Sequence, residues 1–192
     1  MRSIYLVLDM ENDLVHADGP NGKAAYAEQA RARRIIENTC RALSKARAAD
    51  VRVGFVRVAF SPDYRECPPN SPIFSGARKS GLFKLGEWGS QVHPELGQEA
   101  QDFDILKHRV SPFFGTDLEL ILRTHGVQRI YCSGISTNAV VQAAVRDGHD
   151  RDYEMVLLED CCCALSTEEH DSAVRLLHRF CRITTSTELV FA

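Results

Sequence analysis

The chain of 192 residues begins with a short, mostly apolar run, Ser3 to Leu8, that ends at Asp9. An apolar run of this length without polar alternation predicts a strand buried on both faces. Over residues 24–50 the period changes. Ile35, Ile36, Leu43 and Ala46 recur at helical spacing among Arg, Glu and Lys, which predicts one amphipathic helix with a polar outer face. Residues 51–58, rich in valine, read as a second strand. Residues 61–89 carry four prolines and no clear period; a connection this long inside a compact domain is usually a lid or binding loop. A third strand is expected at Phe103–Lys107, and a helix over 117–125 that Gly126 stops. Next come a strand over 128–132, a Gly-rich turn from Gly134, a helix over 138–151 and a strand over 153–158 that closes on Glu159 and Asp160. Ser166 with Glu169 three residues on forms a capping box, which opens a helix running to about Phe180. Residues 182–185 suit a last short strand.

Strands that alternate with helices and lack a polar face predict an α/β fold, with a parallel sheet covered on both sides. Neither repeats nor linkers divide the chain, so one domain over 1–192 is expected. In such sheets ligands bind beyond the carboxyl ends of the strands. Asp9, Lys107 and the turn at Gly134 all fall there.

Composition narrows the function classes. A hydrophobic share of 44% with 26% charged residues is that of an ordinary globular domain. A net charge of −3 gives no reason to expect nucleic acid or an anionic membrane as partner. No apolar run approaches the ~20 residues that span a bilayer, and the N-terminus lacks a signal-peptide layout; a cytoplasmic location is the expectation. Seven cysteines, among them the run Cys161-Cys162-Cys163, show no zinc-type spacing. Adjacent cysteines on a strand point apart, so they read as buried thiols.

The chemistry-bearing residues are few. Asp9 ends the first strand in LVLDMENDLV, where it either caps the next turn, pairs with an arginine, or serves a site. Lys107 ends another strand in DILKHRVSPFF, and a lone lysine there is often simply solvated. Together the two form a charge pair above the sheet that can bind an anion or move protons.

At these residues the chain resembles the isochorismatase-like hydrolases. Asp9-Met10-Glu11-Asn12-Asp13 matches the family's D-M-Q-N-D opening, with Glu for Gln. Its lysine block is met by Lys107, Ser111, Phe114, Thr116 and Leu118. Its turn, G-[VI]-x-T-[ND]-x-C-V, stands as Gly134-Ile135-Ser136-Thr137-Asn138-Ala139-Val140-Val141. The resemblance implies a three-layer α/β/α sandwich on a six-stranded, mainly parallel, Rossmann-like sheet. It also implies catalytic Asp9 and Lys107, an oxyanion turn at Ile135, Ser136 and Thr137 with a cis Ile135–Ser136 bond, and a homodimer or higher oligomer. Val140 stands where the family carries its nucleophilic cysteine, and valine cannot attack a carbonyl. Cys132 and Ser136 are poor substitutes by position. The metal pattern of nicotinamidase-like members needs Asp and His after the second strand; only Asp63 is present, so no metal and no other cofactor is expected.

Three functions fit. The first is Asp/Lys acid–base hydrolysis of a small anionic metabolite, of the vinyl-ether type. The second is amide hydrolysis by water that Asp9 activates, and the third a pocket that binds without turnover. For the first, an Asp beside Lys⁺ is expected to titrate low, the wrong state for an acid. Anion contacts from Arg57, Arg65, Arg78, Lys79, Lys84, His108 and Arg109 would offset this. Phe60, Tyr64, Phe74, Phe83, Trp88, Phe113 and Phe114 cluster in the long connection and after Lys107, and the resemblance implies that such aromatics wall the pocket. Phe60, Trp88 and Phe114 are foremost among them, with Arg57 beside them.

Overall fold

The computed structural model describes residues 1–20 and 25–191. Six strands form one sheet: β1 (Ser3–Leu8), β2 (Arg52–Val58), β3 (Phe103–Lys107), β4 (Arg129–Ile135), β5 (Glu154–Cys163) and β6 (Arg182–Thr184). Their order is β3-β2-β1-β4-β5-β6, and every pairing is parallel. The winding reverses between β1 and β4, so the crevice at their carboxyl ends is the switch point where open α/β sheets hold ligands. The three-layer sandwich follows from the apolar runs themselves. Ile4, Leu6 and Leu8 enter one core with Leu118, Leu122, Ala144 and Leu177; Tyr5 and Val7 enter the opposite core with Ile35, Leu43 and Ala46.

The helices are α1 (Asn12–Val15), α2 (Ala25–Ala32), α3 (Ile35–Ala48), α4 (Ala77–Ser80), α5 (Leu118–Thr124), α6 (Gln142–His149) and α7 (Thr167–Leu177). The single helix expected over 24–50 is two helices; its first residue, Ala24, lies outside the described residues. The break falls at Arg34, in the left-handed region with φ 54°. It turns Arg33 inward to the β5 carbonyl of Cys162, a contact no periodicity encodes. The helix expected over 138–151 begins instead as a π-turn, Thr137–Val141, before α6. Ser166 caps α7 as its spacing foretold, accepting from the Glu169 N–H at 3.2 Å.

β5 is longer than the apolar pattern suggested because a bulge absorbs Glu159 and Asp160. Cys132 pairs with Leu157, but Gly134 pairs with Cys162. Beyond the bulge the strand resumes, with Cys161 and Cys163 in one core and Cys162 in the other. The three thiols thus point to alternate faces. No helix of the described residues is long and apolar enough to cross a membrane.

Gly134 is the tightest point of this arrangement. It has φ 148°, and a Cβ there would lie 2.1 Å from the Leu8 carbonyl oxygen. Backbone against backbone cannot relax cheaply, so Gly134→Ala is expected to cost about 3 kcal/mol or more. Urea unfolding checks this; a loss within about 0.5 kcal/mol of the unmutated chain would show that the β1–β4 approach is not limiting.

Candidate active site

Asp9 follows β1 directly and holds φ 53°, a left-handed conformation that Asp tolerates better than most residues. Its N–H donates to the Val56 carbonyl at 2.8 Å, which fixes the turn against β2. Lys107 closes β3, two strands away and thus about 9–10 Å distant by strand spacing. Its side chain crosses the end of β2, and Nζ reaches Asp9 Oδ2 at 2.8 Å. A second Nζ bond goes to the Arg109 carbonyl at 3.0 Å. Lys107 is 1% exposed and Asp9 5%. The two strand-end charges do meet, as a buried pair.

A cavity of about 210 Å³ opens over this pair. Asp9, Lys107, Ser136 and Tyr26 are the polar residues of its lining; Val58, Phe74, Phe83, Ile135 and Val140 are among the apolar ones. Asp13 accepts from the Phe83 N–H at 2.6 Å and so fastens the long connection over the site. A Cβ at position 89 would collide with that carboxylate, which is why glycine stands there.

Four of the expected pocket residues lie elsewhere. Phe60 is fully buried behind the lining, stacked on His108, edge-on to Phe74 and tilted against Tyr64. Trp88 is 44% exposed and packs edge-on against His16. Phe114 is 67% exposed. Arg57 pairs with Asp104 at 2.6 Å and donates to the Ser90 carbonyl. Phe74 and Phe83, from the same connection, are the aromatics that face the cavity. The other cations proposed for anion contacts are also absent from the lining: Arg65 pairs with Asp63, Lys84 with Glu87, and Arg109 donates to the Glu66 carbonyl. Lys107 is the one basic group that lines the cavity among the described residues.

At the turn, the Ile135–Ser136 bond is cis. Ile135, Ser136 and Val140 line the cavity, while Thr137 turns away and its hydroxyl meets His170 Nδ1 at 2.8 Å. None of the seven cysteines lines the cavity. Cys132 sits in the core, where burial pushes its thiol far above the ordinary range. Among the described residues no group of three or more His, Cys, Asp or Glu converges to hold a metal.

Burial also corrects the expectation for Asp9. Desolvation raises its carboxyl above the usual carboxylate range, and the charge and hydrogen bond of Lys107 only oppose that rise.

The Isochorismatase domain model matches residues 3–188 of this chain. The chain belongs to the isochorismatase family. It is 32% identical over 162 residues to the "uncharacterized isochorismatase family protein YecD" of Escherichia coli O157:H7, covering 82% of each chain. It is 35% identical over 170 residues to the ureidoacrylate amidohydrolase RutB of Yersinia enterocolitica, covering 82% of this chain and 74% of that one. The fold is that of a cysteine hydrolase from Pseudomonas syringae, with a TM-score of 0.86 at 23% identity over 97% of this chain and 90% of the other. The chain is accordingly a hydrolase of this family.

Sequence reasoning missed the part that Asp13 plays and the isolation of Glu11, which is wholly buried. Both stand inside the DMEND block, and the one signal was the Glu itself, which takes the place of the Gln in the family's opening. Removing Lys107 should expose what the pair contributes. Lys107→Met leaves an unpaired buried carboxylate, a loss of about 3–5 kcal/mol near pH 8. Asp9 then titrates higher in the folded than in the unfolded chain, so the loss shrinks as pH falls and Asp9 takes a proton. Urea melts at about pH 8 and pH 5 check the sign; an equal loss at both would mean that Asp9 is not the charge left unpaired.

Proposed function

We propose that this chain hydrolyses a small, largely apolar substrate without a thiol, with Asp9 as the acid that protonates an electron-rich double bond of the vinyl-ether type. The observation that carries this reading is the burial of Asp9, only 5% exposed at the floor of the cavity, which raises its carboxyl above the ordinary range despite Lys107. Protonation of the enol carbon gives an oxocarbenium ion. Water captures it, losing a proton to Asp9, and the hemiketal breaks its C–O bond to give a carbonyl compound and an alcohol that takes the hydroxyl proton. Between the two proton transfers the ionised Asp9 faces Lys107 at 2.8 Å, which stabilises the charge the first step leaves behind. Val140 stands where the resemblance places the family cysteine, and it fills that part of the wall with a methyl surface. A lining with one basic group suits a substrate with no more than one acidic group, which narrows the anionic class expected from sequence.

A second reading is amide hydrolysis by water that an ionised Asp9 activates. It is favoured by the likeness to proteins named ureidoacrylate amidohydrolase and by Ser136 at the turn. The products separate the two: an enol ether releases a carbonyl compound, whereas an amide or ureide releases ammonia or an amine.

A turnover screen over enol ethers, amides and ureides comes first. On the substrate it finds, Asp9→Asn is expected to lose at least ~100-fold in kcat, the low end for general acid–base catalysis. In the acid reading kcat/KM falls as pH rises through the Asp9 value. A profile that instead rises with pH over that range identifies Asp9 as a base and sinks the vinyl-ether reading.

The absent nucleophile is tested separately. Iodoacetamide should leave turnover intact, since the cysteines lie outside the cavity. Val140→Cys should place a thiol beside Asp9 and Lys107 that alkylates faster than the native cysteines, titrating below the ordinary ~8.5. A covalent intermediate trapped on a native cysteine by mass spectrometry would end the thiol-free proposal.

A further inference from the structure

Glu11 stands two residues after Asp9, and its backbone forms an antiparallel bridge with Val92. Its side chain is 0% exposed, and neither carboxyl oxygen has a hydrogen-bond partner among the described residues. Four charged groups act on it. Asp9 and Asp13 oppose its ionisation, and Lys107 and Arg57 favour it. Both cations are already engaged. Lys107 holds Asp9 and the Arg109 carbonyl; Arg57 holds Asp104 and the Ser90 carbonyl. An ionised Glu11 would be a buried carboxylate without a hydrogen bond, which proteins avoid by keeping the proton. Burial accordingly pushes its carboxyl well above the ordinary range, and the Asp9 charge pushes it the same way. Asp9 Oδ1 is likewise buried and without a partner.

We propose that Glu11 is the proton reserve of the site: Asp9, Glu11 and Lys107 hold one proton on two carboxyl groups near neutral pH, and Glu11 carries it whenever Asp9 is ionised. The group is then electrically neutral, with one carboxylate against one ammonium. Glu11 does not line the cavity, so it acts through Asp9 and is a positioning residue. Its catalytic use rests on the acid reading of Asp9. There Asp9, in the state in which it holds the shared proton, gives it to the substrate carbon, whose new C–H bond leaves an oxocarbenium ion facing two carboxylates. The water that attacks the cation loses an O–H proton to the carboxyl pair, which restores the starting state.

The test needs no substrate. Infrared difference spectra near neutral pH, taken with glutamate carboxyls labelled by carbon-13, should show a protonated-carboxyl band that shifts on labelling and is lost in Glu11→Gln. Glu11 holds its proton more tightly in the folded chain than in the unfolded one, where it titrates near ~4.3. The stability this provides is complete below that value and is lost as pH rises through the folded one, so Glu11→Gln should gain Tm relative to the unmutated chain as pH rises above about 4. A wild-type spectrum without a labelled protonated-carboxyl band overturns the proposal, as does a Tm difference of opposite slope. If Glu11→Gln fails to fold, the labelled band in the unmutated chain decides alone. Ammonia release with Asp9 acting as base would refute the acid reading while leaving the band in place. A carbonyl product from a protein without the band would refute the reserve alone.

Discussion

The buried Asp9–Lys107 pair is the constraint on which the site depends. It joins the ends of two strands that are not neighbours, across the end of β2, and both charges are shut away from water. In such a place neither group is stable alone, so each fixes where the other must be. The pair holds the carboxyl edge of the sheet at a defined width, and the cavity forms over it. The hydrogen bond from Lys107 to the Arg109 carbonyl extends that hold into the segment after β3.

A second network fixes the opposite wall. Arg33 donates to the Cys162 carbonyl at 2.9 Å and reaches Glu159 and His170, while His170 meets the Thr137 hydroxyl. These contacts tie the break between α2 and α3, the β5 bulge and the start of α7 to the turn after β4. The irregular features of the chain are thus joined to one another, and all converge on the turn that carries Ile135, Ser136 and Val140. Irregular backbone beside a site is where local strain is usually sustained by surrounding contacts.

Burial decides the electrostatics of this site more than pairing does. An Asp beside a lysine in water would titrate low; here the loss of hydration outweighs the attraction. The same effect acts more strongly on Glu11, which has no hydrogen bond to offset it. Apart from Lys107, the nearby cations Arg57, Arg65, Lys84 and Arg109 face their own acidic partners and carbonyls instead of the cavity, which leaves the lining mostly apolar.

Much of the fold was legible in the chain itself. Strand positions follow from apolar runs such as Ser3–Leu8, helices from spaced apolar residues, and the α7 start from Ser166 and Glu169, because these depend on neighbours a few residues away. The two strand-end charges and the Gly134 turn were legible for the same reason. What only the tertiary structure decided depends on residues far apart in sequence. The helix break at Arg34 answers to Glu159 and Cys162, more than 120 positions later. Phe74 and Phe83 face the cavity while Phe60, Trp88 and Phe114 do not, because the course of the long connection over the sheet sets which side of it is covered. The proton affinities of Asp9 and Glu11 belong to this second kind: they follow from how completely water is excluded, and no residue carries that information in its own neighbourhood of the chain.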